Sequence, residues 1–213
     1  MLSVNFYLCF SQMSTSSNLI NKAVEQLSKF PGIGQKSALR MALHLLKKSE
    51  SETVELSQAL INLRTEIRFC QQCFNLSDGE LCNVCNSPSK DGTLVCIVKD
   101  FQDVIAIENT GQYNGHFHVL GGLISPVDGI GPSDVKIPEL LNRVSKGEIT
   151  EAILALSSTL EGDTTEFYIA KKLREMNVKV STLSKGIAVG GELEYADEMT
   201  LARSIRNRTS LGS

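Results

Sequence analysis

No stretch of the chain combines the length and apolarity of a membrane span. Residues 1–12 are apolar, but they carry no Lys or Arg and no clear small-residue cleavage site follows, so a signal peptide is not indicated. Met13 followed by Ser-Thr-Ser-Ser-Asn18 reads as a natural polar start. Residues 1–12 are therefore expected to be an overextended start or a disordered tail, and residues 1–17 to precede the folded body. Gly-x-x-x-x-Gly-Lys-Ser/Thr is absent, which removes the usual phosphate cradle for ATP. The three histidines, His44, His116 and His118, are too scattered for a Ser-His-Asp or Cys-His nucleophile. Aromatic residues make up only 6% and hydrophobic residues 42%, as in a soluble globular protein. Cysteines number six, with no secretory context to suggest a disulfide framework, so a cytosolic setting is expected. A chain of 213 residues can bury a core without disulfides.

Net charge is −3, but its distribution is uneven. Asn18 to Lys48 holds Lys22, Lys29, Lys36, Arg40, Lys47 and Lys48 against one acid, Glu25. Leu94 to Glu166 holds eleven acids and four bases. A basic head and an acidic body follow, and a polyanion would be steered to the head.

Hydrophobic periodicity places helices over 18–29, 35–48 and 51–67, with Asn18 as the expected cap of the first. Leu19, Ile20, Ala23, Val24 and Leu27 are expected on one face of that helix. Pro31-Gly-Ile-Gly34 separates the first two helices. The polar stretch Asn86 to Gly92 reads as a linker and domain boundary. Beyond it, strands at 94–98, 117–120, 152–156 and 178–182 alternate with helices at 101–109, 139–145 and 164–176. That alternation argues a parallel α/β sheet.

Two signals carry chemistry. Cys70-x-x-Cys73 and Cys82-x-x-Cys85 can set four thiolates around one Zn²⁺. Four cysteines leave no open coordination position, so the metal is structural. The second signal is Phe30-Pro-Gly-Ile-Gly-Gln-Lys-Ser-Ala38. Gly32 and Gly34 permit close backbone approach, and a helix N-terminus follows, which favours a phosphate. Lys36 and Arg40 are four apart, hence on one helix face beside it. This is a helix-hairpin-helix pattern, which grips backbone without reading bases.

Two acidic stations stand at strand ends: Asp100 and Asp103 in the first, Glu161 and Asp163 in the second. Glu161 and Asp163 could hold Mg²⁺ with another carboxylate. Equally, Asp163 could cap a helix and place favourable charge at its start.

The hairpin, the four cysteines and the strand ending at Lys99 occur together with Leu123-Ile-Ser-Pro-Val-Asp-Gly-Ile-Gly-Pro132 and Thr159-Leu-Glu-Gly-Asp163. Gly186-Ile-Ala-Val-Gly-Gly-Glu-Leu-Glu-Tyr-Ala-Asp-Glu-Met-Thr-Leu201 completes the set. From Asn18 to the C-terminus this resembles the RecR family of bacterial recombination mediators. The resemblance implies a helix-hairpin-helix region at 18–67, a zinc finger at 68–90, a Toprim domain at 91–185 and a Walker-B-like segment with a tail at 186–213. It implies one structural Zn²⁺ per chain and homodimers or ring-shaped homotetramers that clasp DNA. It further implies action with RecO, and with RecF in some bacteria, to help load RecA on single-stranded DNA in a cytoplasmic, nucleoid-associated setting. Gly32, Gly34, Lys36 and Arg40 match the DNA-contacting turn, and Asp103, Glu161 and Asp163 the acidic positions tied to partners or metal.

Lys99 departs from the glutamate usual at that strand end, which removes a general acid or base and would repel Mg²⁺. Ser157-Ser158 stands where Asn-Pro is more frequent. With no ATP cradle upstream, Glu192, Glu194 and Asp197 read as structural or interface acids. The expected protein is a non-enzymatic mediator; the rival is a Mg²⁺-dependent Toprim nuclease or primase-like enzyme built on Glu161 and Asp163.

Overall fold

A computed structural model describes residues 15–184, 186, 187, 190 and 192–208. The expectations for residues 1–14 and for the tail beyond 208 lie outside the described residues. The chain divides into two compact units, Met1–Thr65 and Glu66–Ser213.

The first unit is helical: α1 (Asn18–Leu27), α2 (Gln35–Leu45) and α3 (Glu50–Glu66), whose last residue crosses the division. The cap of α1 is Ser17, not Asn18; its Oγ accepts from the Ile20 amide. Thr15 joins that turn by donating its own amide to Asn21 Oδ1 at 2.9 Å. Val24, Ala38 and Ala42 are buried between α1 and α2, flanked by Ile20, Ala23, Leu27, Ile33 and Leu39. Leu19, expected on that face, is 80% exposed. Helix α3 opens with a reciprocal cap: the Ser49 amide donates to Glu52 Oε2 at 3.0 Å, and the Glu52 amide donates to Ser49 Oγ at 3.3 Å. None of its seventeen residues is buried within the chain.

The second unit opens with a hairpin of β1 (Arg68–Phe69) and β2 (Leu76–Ser77), antiparallel. A four-stranded sheet follows, built from β3 (Asp91–Val98), β4 (Gly115–Val119), β5 (Glu151–Ala155) and β6 (Lys179–Thr182). The order is β4-β3-β5-β6 and every pairing is parallel, as expected. Helices α4 (Phe101–Glu108), α5 (Ile137–Val144) and α6 (Leu160–Glu175) connect the strands, and α7 (Glu198–Arg206) closes the described chain. Alternation along β3 sends Val95 and Ile97 to a large core with α5 and α6, and Cys96 and Val98 to a smaller core with Phe117, Val119 and Val104 of α4.

The stretch Asn86–Gly92 is anchored by side-chain and backbone bonds. Lys90 Nζ lies 2.8 Å from Glu108, Asn114 Nδ2 donates to the Ser89 carbonyl, and the Asp91 amide donates to the Asn114 carbonyl. These bonds tie the cysteine segment to the sheet, and both lie in the second unit. Helix α6 also starts earlier than expected. Thr159 caps it through Oγ1, and Gly162 in its first turn is required because a Cβ there would collide with the Ser157 carbonyl.

Candidate nucleic-acid interface and metal centre

The Sγ atoms of Cys70, Cys73, Cys82 and Cys85 all lie within 4.8 Å of one another, and Cys73 and Cys82 approach to 3.5 Å. A tetrahedron with Zn–S bonds of about 2.3 Å has edges near about 3.8 Å, so the set fits one zinc ion. Cys70, Cys73 and Cys82 are buried and Cys85 is half-buried. Hydrogen bonds from Cys73 and then Cys85 drive the Cys82 thiol far below its ordinary value, while the bond to Cys82 drives Cys73 upward. Cys85 is pushed up by its bonds to Cys73 and Cys82. Four thiols this close cannot all ionise without a cation between them, and a divalent ion supplies it.

The backbone shapes the two knuckles. The Phe74 amide donates to the Cys70 carbonyl and the Asn86 amide to the Cys82 carbonyl. Phe74 itself takes a positive φ of 62°, an uncommon conformation for a side-chain-bearing residue. Its ring meets the edge of His118 at 5.4 Å, with Lys136 Nζ 5.2 Å from its centroid. The Val119 amide donates to the Cys73 carbonyl at 2.8 Å, so the zinc knuckle covers the outer edge of β4. His118 is buried, bonded through Nε2 to the Lys136 carbonyl at 2.7 Å, and burial pushes its pKa down to about 4. No sequence signal marked Phe74 or His118 as joining parts of the zinc segment to the sheet.

In the helical unit, Gly32 has φ +77°, a conformation that favours glycine. Gly34 has φ −82° and ψ 166° and is the cap residue of α2; no side chain caps this helix and its first turn holds no acid. A Cβ at Gly34 would meet nothing within 4 Å. Lys36 and Arg40 are exposed on α2, and neither forms an ion pair with a described residue.

The acidic positions are not brought together. Among the described residues the four cysteines form the one group of three or more potential ligands. Asp103 accepts from the Lys99 and Asp100 amides at 3.1 and 3.2 Å and completes the capping box of α4 with Asp100. Glu161 and Asp163 lie two apart on α6 and so do not face each other. Asp163 does not cap α6, because Thr159 does; its carboxylate meets Arg203 Nη2 at 3.0 Å. Lys99 follows β3 and is exposed. Asp197 caps α7 by accepting from the Thr200 amide and hydroxyl.

A helical hairpin unit, a four-cysteine zinc finger and a parallel Toprim-type sheet, in that order, define a modular zinc protein. Family models separate the modules in the same order: the RecR helix-hairpin-helix model matches residues 20–64, the RecR four-cysteine zinc finger domain 67–87, the Toprim domain 93–184 and the RecR C-terminal model 186–209. The "Recombination protein RecR" of Flavobacterium johnsoniae is 53% identical over 196 residues, covering 92% of this chain and 95% of the relative. That of Amoebophilus asiaticus is 55% identical, covering 92% and 98%, and that of Bacteroides thetaiotaomicron 53% identical, covering 91% and 94%. The chain belongs to the RecR family and carries its structural zinc site. Among the described residues no helix is long and apolar enough to cross a membrane.

Proposed function

We propose that this chain is a DNA-binding recombination mediator that acts in recombinational repair with RecO, and with RecF in bacteria that use it, to help load RecA on single-stranded DNA. The observation that carries the DNA contact is Gly34. Its backbone angles suit any residue and the described residues around it leave room for a side chain, so within the described chain only the cap position favours glycine over alanine. An external backbone approaching the start of α2 would call for it. Lys36 and Arg40 then stand beside a phosphate held by Gly32 and Gly34, with no base read.

Self-assembly into a dimer or a ring of four is supported by α3, which leaves Val54, Leu60, Ile61 and Leu63 51–62% exposed. Such a helix gains its stability from a second surface. Several linked protomers would turn weak phosphate grips into avidity. Asp103, Glu161 and Asp163 are read as positions that receive partners. The non-enzymatic reading is supported by Lys99 at the strand end, the capping role of Asp103 and the Asp163–Arg203 pair, which leave little for Mg²⁺ chemistry.

Fluorescence anisotropy with a labelled oligonucleotide tests the hairpin. Lys36→Glu with Arg40→Glu should weaken binding strongly and flatten the salt dependence by about two phosphate contacts. Unchanged retention at moderate salt would remove the hairpin from the account. Robust Mg²⁺-dependent cleavage or synthesis that Glu161→Gln abolishes would favour the enzyme reading instead.

A further inference from the structure

Within the second unit a cleft opens between the end of β6, the first turn of α6 and helix α7, with a volume of about 570 Å³. It lies at the C-terminal edge of a parallel sheet, where α/β proteins place ligands. Among the described residues its wall presents Arg203, Arg206 and Arg208 against a single acid, Asp163. Asp163 orients Arg203 through the 3.0 Å contact between Oδ2 and Nη2. Arg206 follows three residues later, on the same side of α7. Arg208 donates Nη1 to the Ile205 carbonyl at 3.2 Å, and its guanidinium has further donors beyond that one. The negative end of the α7 dipole offsets roughly half a charge here, so with Asp163 counted the described residues of the wall stay positive by about 1.5 charges.

Guanidinium forks around a net positive cavity are the chemistry that recognises phosphate.

We propose that this cleft is a phosphate-binding site, with Arg206 and Arg208 contacting the ligand and Arg203 oriented by Asp163. The proposal deepens the DNA-binding reading and rests on it for the source of the phosphate, a phosphodiester of single-stranded DNA.

The test uses the full zinc-loaded chain. Anisotropy of a labelled single-stranded oligonucleotide is recorded over a salt series for the parent, for Arg206→Gln/Arg208→Gln and for Lys36→Glu/Arg40→Glu; each is also titrated calorimetrically with sodium pyrophosphate. Losing two phosphate contacts should lower the slope of log K against log salt by about 1.4 and the affinity near 0.1 M salt by about 25-fold. Pyrophosphate should bind the parent and not the glutamine variant. Pyrophosphate binding lost in that variant, with the DNA slope unchanged, keeps the phosphate cleft and assigns it to free phosphate. A glutamine variant that matches the parent toward both ligands overturns the proposal. Failure of the underlying DNA reading shows elsewhere, as parent-like DNA binding by Lys36→Glu/Arg40→Glu.

Discussion

Gly32 and Gly34 stand two residues apart, and alanine should separate their roles. At Gly32 the φ of +77° is unfavourable for an L-residue by about 1–2 kcal/mol. A stiffer unfolded chain returns about 0.4–1 kcal/mol, so Gly32→Ala should destabilise α1–α2 by about 1 kcal/mol. At Gly34 the angles of −82° and 166° suit alanine, and the new methyl meets nothing within 4 Å. Alanine is a poorer cap than glycine by roughly 1 kcal/mol, and the unfolded-state gain of about 0.4–1 kcal/mol offsets most of that. Stability should therefore stay within about 0.5 kcal/mol of the parent. Binding should not, because the methyl occupies the space a phosphate would take. Hydrogen bonds to a charged group are worth about 1.5–3 kcal/mol, so losing one lowers DNA affinity by about tenfold or more. Native-state hydrogen exchange of the α2 amides reads local stability, and anisotropy reads affinity. Gly34→Ala with parent-like DNA affinity would refute the reasoning, as would a loss of affinity no larger than its loss of α2 protection.

Removing zinc should loosen more than the knuckle, since Phe74 and Val84 pack on the core that holds Cys96. Cys96 is 1% exposed and burial pushes its thiol up to about 12, so it should resist alkylation until a chelator is added; mass spectrometry locates the label, and continued protection would count against the coupling. His118 is held near 4 by burial against about 6.5 when unfolded. The unfolded chain then binds the extra proton between those values, so the His118 contribution is complete above about 6.5 and is lost as pH falls toward 4, up to about 3 kcal/mol in all. Urea denaturation at pH 7 and pH 5 should show that loss in the parent and a smaller one in His118→Gln; equal losses would contradict it. Ile61→Asp on the exposed face of α3 should shift the protein to a smaller species in sedimentation velocity, and an unchanged mass would clear α3 of a role in assembly.

What could be read from the chain alone follows the range of the forces involved. Helices α1 and α2 and strands β3, β5 and β6 are set by residues within a few positions of one another, and their periodicity shows it. The four cysteines were legible for the same reason, as two short turns whose spacing already satisfies tetrahedral geometry. The anchoring of Asn86–Gly92 was not legible, for the opposite reason. Polar residues there resemble a linker, but their bonds run to Glu108 and Asn114, some twenty positions away. Composition cannot show where a polar group finds its partner. Phe74 was missed because its positive φ is imposed by the turn between Cys70 and Cys73, and its ring contacts lie on β4 and at Lys136.

The acidic stations show how one residue pattern can serve two ends. A carboxylate at a strand-to-helix junction is suited equally to holding a cation and to satisfying open amides, because both needs draw on the same lone pairs. Asp103 reaches back to the Lys99 and Asp100 amides, and Asp163 reaches forward to Arg203, so each already has a compensating donor. A magnesium ion recruited here would have to break those contacts and tolerate the Lys99 ammonium at the same sheet edge. The hairpin faces no such competition: Lys36 and Arg40 form no ion pair with a described residue and Gly34 has open space beside it, so a phosphate could be gripped there without displacing a described ion pair.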